Sequence, residues 1–145
     1  MNGFLSKVIS QYEFWISNGW FRTGDQGFFD QDGYLKISGR LKEIINKGGE
    51  KISPLEIDNV LMDHPSIEQA VCFGYEVKML GEDIATAIIV KEGMNCTEED
   101  LKNYANEKLA KFKVPKKIFF VNEIPKGATG KLQRNTLAKK FGLVN

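Results

Sequence analysis

Histidine and cysteine are scarce in this sequence, and each scarcity closes off a class of chemistry. The single histidine, His64, stands directly before Pro65, a setting that suits a surface residue at a helix end rather than a base or a ligand. The two cysteines, Cys72 in an apolar run and Cys96 ahead of a helix start, have neither metal-ligand spacing nor partner histidines. No metal site and no disulfide framework is therefore expected, and the thiols fit a reduced, cytoplasmic setting. Long apolar runs are missing too: none approaches the roughly 20 residues of a membrane-spanning helix, and the start lacks a basic stretch followed by an apolar core. The last three residues, Leu143-Val144-Asn145, are not a peroxisomal address of the Ser-Lys-Leu type. Charge of one sign is the final absence, because 20 Lys and Arg face 19 acids for a net charge of +1. Neither nucleic acid nor a membrane is expected as a partner, and any basic site must be local.

What is present is an ordinary globular composition, 42% hydrophobic and 27% charged, over 145 residues, enough for one domain and part of another. The chain centres on residues 39–56, where a glycine pair, a group of cations and a helix start follow one another. Gly48-Gly49 permits positive φ between the β-branched Ile44, Ile45 and Ile52, which predicts a hairpin with an exposed tip. Ser53-Pro54-Leu55-Glu56 predicts a capping box with proline at the first helical position. On composition alone this stretch is a structural hairpin with a solvated basic tip.

Upstream, residues 1–18 are apolar and aromatic and are read as helix, and Asp32-Gly33 between aromatic runs predicts a two-residue hairpin. Downstream, a helix is expected from Pro54 to about Asp63, strands over Ile67–Tyr75 and Asp83–Val90, and a helix capped by Thr97 that ends near Lys111. A third strand at Lys117–Val121 and a last short helix reaching Lys140 and closed by Gly142 complete the order. The expected fold class is α+β, a small mixed sheet of about three strands covered by helices and preceded by a β-hairpin.

Gly127-Ala128-Thr129-Gly130-Lys131 invites comparison with a phosphate-binding P-loop, but Pro125 and Leu132 stand where that pattern needs its first glycine and its hydroxyl. A glycine-rich loop ending in lysine still suits the delivery of an ammonium to a phosphoryl or carboxylate oxygen held elsewhere, although a solvated lysine is the commoner case. Asp25 in Arg22-Thr23-Gly24-Asp25 is either a turn residue or an acceptor for a vicinal diol such as a ribose, and Arg40 either positions a phosphate or pairs with an acid.

Three stretches coincide in order and spacing with one family. Trp20-Phe21-Arg22-Thr23-Gly24-Asp25, then Gly39-Arg40-Leu41-Lys42-Glu43-Ile44-Ile45 through Ile57, then Pro125-Lys126 with Thr129-Gly130-Lys131-Leu132-Gln133-Arg134 together resemble the C-terminal end of the adenylate-forming (acyl-CoA synthetase, AMP-binding) superfamily. Lys47 to Pro54 is most similar to the branch with the 4-coumarate-type and oxalate-type CoA ligases. The resemblance implies a division into residues 1–40, the end of a large nucleotide-binding domain with the approach to a hinge, and residues 41–145, a C-terminal lid. It implies that Asp25 holds the ribose hydroxyls of ATP, that Arg40 lies near ribose and phosphates, and that Lys42 is the pivot on which the lid swings between two poses. Lys131 then bridges the acyl carboxylate and ATP, Gly48 and Gly49 line the pantetheine tunnel, and Lys51 falls where some members place a cation for CoA. ATP or AMP, CoA and Mg2+ belong to the complete enzyme, whose partners are the large N-terminal domain and a carboxylic acid; the lid alone is expected to bind none of them and to be inactive. Two other classes compete: a non-catalytic module that binds a nucleotide, CoA or a partner, and a basic nucleic-acid binder using Lys42, Lys47, Lys51, Arg134, Lys139 and Lys140.

Overall fold

The structure, a computed structural model, describes residues 16, 17 and 19–144. The chain divides into two compact units, residues 1–42 and 43–145. In the first unit, β1 (Ile16–Ser17) pairs antiparallel with β2 (Trp20–Phe21), and β3 (Asp25–Phe29) with β4 (Leu35–Arg40). The helix expected over residues 1–18 lies almost wholly outside the described residues. Its end is a strand instead, because Gly19 at φ 80° turns the chain back and lets Ile16 pair with Phe21. The β3–β4 turn also differs from the two-residue expectation. The Asp30 N–H donates to the Tyr34 carbonyl at 2.9 Å and the Gly33 N–H to the Asp30 carbonyl at 3.0 Å, so the loop is Gln31, Asp32 and Gly33. The reason is Asp30, whose Oδ1 accepts from the N–H groups of Asp32 and Tyr34 at 3.0 and 2.9 Å, leaving glycine alone at positive φ.

The second unit is a five-stranded mixed sheet. β5 (Ile45–Lys47) and β6 (Glu50–Ile52) form the expected hairpin, with Gly48 and Gly49 at φ 55° and 89° making its two-residue turn. β7 (Ile67–Val77) and β8 (Gly81–Val90) pair antiparallel along their lengths, and β9 (Lys117–Phe120) pairs parallel with Ala85–Ile88 of β8. The three expected strands are thus β7, β8 and β9. The hairpin joins them through Lys47 opposite Gly81, so it is part of the sheet and not only a prelude to it.

Both faces of the sheet are covered, which is why β7 and β8 read as unbroken apolar runs rather than alternating ones. On one face α1 (Pro54–Met62) and α2 (Glu98–Lys108) enclose Ile45, Ile52, Ile84 and Ile88 with Ile57, Leu61, Leu101 and Ala105. On the other, Val71, Phe73, Tyr75, Ala85 and Ala87 lie under Ile124 and Leu137, and Phe141 stacks on Phe73 and Phe119. Thr97 caps α2 as expected, its Oγ1 accepting from the Asp100 N–H while Asp100 accepts from the Thr97 N–H. No such box forms at α1. Ser53 has extended φ and ψ but makes no side-chain cap bond, and the Glu56 carboxylate reaches Lys113 instead, at 2.9 and 3.0 Å. A 3-10 turn at Arg134–Thr136 leads into α3 (Leu137–Lys140), which Gly142 closes at φ 69° as the Leu143 N–H reaches back to the Ala138 carbonyl. Among the described residues no helix is long and apolar enough to cross a membrane.

Candidate functional site

In the first unit, antiparallel pairing sets Asp25 directly opposite Arg40. The Arg40 Nε lies 3.3 Å from Asp25 Oδ1, with the guanidinium 58% exposed and the carboxylate 30%. The Asp25 N–H rests on the Thr23 hydroxyl at 3.2 Å, and the Gly24 carbonyl accepts from the Leu41 N–H at 2.8 Å. Of the sequence readings, the pairing of Arg40 with an acid is the one seen, and Asp25 opens β3 rather than sitting in a turn; each residue also keeps open donors or acceptors toward solvent. A cis-diol that donates to the carboxylate and an anion that draws on the guanidinium fit such a pair.

Lys42 is exposed in a 3-10 turn, Leu41–Glu43, at the boundary between the two units. Beyond it, the β5–β6 tip is clamped to the β7–β8 turn: the Gly48 N–H donates to the Leu80 carbonyl at 2.8 Å, and the Asn46 N–H to Glu82 Oε2 at 2.7 Å. The Lys47 ammonium is 2.7 Å from Asp83 Oδ1, with the side chains only 16% and 9% exposed. A Cβ at Gly49 would meet nothing within 4 Å, so the tip presents bare backbone to open space. Lys51 is exposed on β6 and makes no ion pair among the described residues.

Lys131 is exposed at the end of a loop that folds on itself, with the Gly127 N–H donating to the Lys131 carbonyl and the Gly130 N–H to the Gly127 carbonyl, both at 2.9 Å. Lys140 Nζ donates to the Lys126 carbonyl at 2.8 Å. Three residues on, Arg134 is the opposite case. Its Nη1 donates to Asp58 Oδ2 and to the Cys72 carbonyl, each at 2.7 Å, and its Nε to Glu43 Oε2 at 3.3 Å. Asp58 accepts in turn from the Cys72 N–H at 2.6 Å. Burial pushes the Asp58 carboxyl above its ordinary 3.8, while the Arg134 charge and the Cys72 N–H oppose that rise. Burial first, then the Asp58 charge, pushes the Cys72 thiol well above its ordinary 9.0, which keeps it protonated and unreactive.

The competing nucleic-acid class counts Lys47 and Arg134 in its basic patch, and the structure speaks against both. Both cations are mostly buried and already paired, so neither is free for a phosphate backbone. The residues that pair with them escape a sequence reading because the partners are distant in the chain. Asp58 alone leaves a trace: it falls on the same helical face as Pro54, Ile57 and Leu61, where a carboxylate requires a counter-ion.

The AMP-binding enzyme C-terminal domain family model matches residues 56–131, just over half of the chain. The chain belongs to this family. Similar relatives include an oxalate–CoA ligase from Arabidopsis thaliana, 53% identical over 85% of the chain and 24% of the relative, and one from Saccharomyces cerevisiae, 50% identical over 84% and 22%. Among solved structures, the o-succinylbenzoate CoA synthetase of Bacillus subtilis, in complex with its acyl-adenylate intermediate, superposes with a TM-score of 0.77 at 36% identity. That match covers 86% of this chain and 25% of the synthetase. The chain spans about a quarter of the length of the curated relatives it matches. The matched segment opens inside α1 and closes on Lys131, so the family's characteristic span and the lysine loop end together.

Proposed function

We propose that this chain is the C-terminal lid, with a short preceding piece of the large domain, of an ATP-dependent acid:CoA ligase. The observation that carries the reading is the state of Lys131: an exposed ammonium with no ion pair among the described residues, on a self-braced loop, at the end of the family span. In the first half-reaction a carboxylate oxygen attacks the α-phosphorus of ATP, forming the acyl–phosphate bond as pyrophosphate leaves. Lys131 offsets the negative charge shared by the carboxylate and the phosphoryl oxygens. Asp25 accepts from the ribose hydroxyls, and Arg40, held beside it, offers its charge to the phosphates. In the second half-reaction the CoA thiolate attacks the acyl carbon and AMP leaves with the bonding electrons. The Gly48-Gly49 tip lines the path of the pantetheine arm, where the absence of Cβ atoms allows close approach, and Lys51 faces the CoA phosphates. Lys42 is the pivot between the two poses, a reading supported by the division of the chain after that residue. Among the described residues no group of three His, Cys, Asp or Glu is placed to hold a metal.

The test is a chimeric ligase in which this chain replaces the matching quarter of the Arabidopsis oxalate–CoA ligase. Lys131→Ala should lower acid-dependent pyrophosphate exchange by about 10²-fold or more while sparing thioester formation from supplied acyl adenylate. Gly49→Asn should do the reverse, since asparagine tolerates positive φ and its side chain enters the open space at the tip. Equal loss of both half-reactions in both variants would overturn the two-pose assignment.

A further inference from the structure

We infer that Arg134 is a positioning residue for Lys131, tying the lysine loop to Glu43, the residue directly after the proposed pivot. The inference rests on the reading of Lys131 given above. The loop's own hydrogen bonds, Gly127 to Lys131 and Gly130 to Gly127, give it a shape but hold it only to itself, and Lys140 holds it only to α3. Leu132, the residue after Lys131, packs against the second core cluster, and Arg134 adds the polar tie from the end of the loop to β7, α1 and the domain boundary. Among the described residues it is the one cation with ion pairs to two separate segments, Glu43 at the domain boundary and Asp58 on α1, and it also holds the Cys72 carbonyl of β7.

Charge balance separates a structural role from a positioning one. One guanidinium needs one buried carboxylate, and Asp58, with its side chain 4% exposed at 2.7 Å, supplies it. Glu43 is a second carboxylate on the same cation, which the fold does not need for neutrality; what it adds is a fixed distance between the pivot and the lysine loop. A planar fork that serves three acceptors on three segments also explains arginine at this place, because a lysine ammonium reaches such divergent acceptors poorly.

The experiment combines the chain itself with the chimera. In Glu43→Gln the urea midpoint should stay near the unsubstituted value, since Asp58 still neutralises Arg134, while the Gly127 and Gly130 amides exchange faster by NMR. In the chimera the same substitution should lower kcat for adenylation with little change in KM for the acid, and leave thioester formation from supplied acyl adenylate intact. The pair Arg134→Met with Asp58→Asn removes the buried charges together, so the fold should survive while adenylation falls by up to about 10²-fold, as a displaced catalytic group implies. Unchanged loop exchange and unchanged adenylation in Glu43→Gln would overturn the inference, as would a double variant that recovers stability and adenylation together. Lys131→Ala separates the two readings: full adenylation in that variant removes the role of Lys131 itself, and this inference with it, whereas a lost adenylation beside a silent Glu43→Gln overturns the inference alone.

Discussion

Two carboxyl groups in the second unit are shifted in opposite directions, and stability should follow pH differently at each. Burial raises the Asp58 carboxyl above 3.8. The folded chain then holds that proton at a pH where the unfolded chain has released it, so this group's contribution is fully present below 3.8 and is lost as pH rises through the raised value. Asp100 is the reverse: the Thr97 hydroxyl first, and the Thr97 N–H second, hold its carboxyl below 3.8. Its contribution is present above 3.8 and is lost as pH falls through the lowered value. Urea denaturation across the acid range should show Asp58→Asn flattening the decline in stability above 3.8, and Asp100→Asn removing a loss that otherwise appears below it. A decline of unchanged slope in Asp58→Asn would contradict the assignment. The Thr97 cap was legible in the sequence because a cap stands directly before the helix it starts, and the structure adds the returning bond from Thr97 N–H to Asp100 within the same turn. The ion cluster was not, since Glu43, Asp58 and Arg134 meet only once α1, β7 and the C-terminal segment have packed.

Among the elements, the β5–β6 hairpin shows where local pattern suffices and where it stops. Two consecutive glycines between isoleucines specify the turn, and the structure keeps it, with both glycines at positive φ. That the tip is anchored by the β7–β8 turn could not be read, because Lys47, Glu82 and Asp83 carry no local sign of pairing. The anchor yields a prediction. Asp83→Asn leaves the largely buried Lys47 ammonium without its counter-ion and should lower stability by about 1–3 kcal/mol, less than for a fully buried pair because both side chains keep some exposure. Hydrogen exchange should then quicken at Asn46 and Gly48 before it does in α2. Equal acceleration in both elements would mean that Asp83 supports the sheet at large and not the tip. The α+β class and the order of elements after Pro54 were accessible from the sequence because the helices carry their own boundary signals: Pro65 after α1, the Thr97 cap that starts α2 and the Gly142 closure.

Taken whole, the molecule places the described residues of both core clusters between Ile45 and Leu143. Removal of residues 1–42 should therefore leave a folded second unit whose melting temperature is close to that of the full chain, measured by circular dichroism; a collapse of cooperativity on removal would show that the first unit is needed for the core. The β3–β4 pair, by contrast, is a two-stranded ribbon that leaves Phe28, Phe29 and Tyr34 exposed, and its amides should exchange well before those of β7 and β8. The cover of the second sheet face has a consequence for how the chain is made. β7 and β8 are adjacent in sequence and can zip as soon as they are synthesised, but the residues that shield Val71, Phe73 and Tyr75 follow 34 or more residues after β8, at Ile124, Leu137 and Phe141. On the ribosome that apolar face meets water, and any chaperone nearby, until α3 and Phe141 have cleared the exit tunnel.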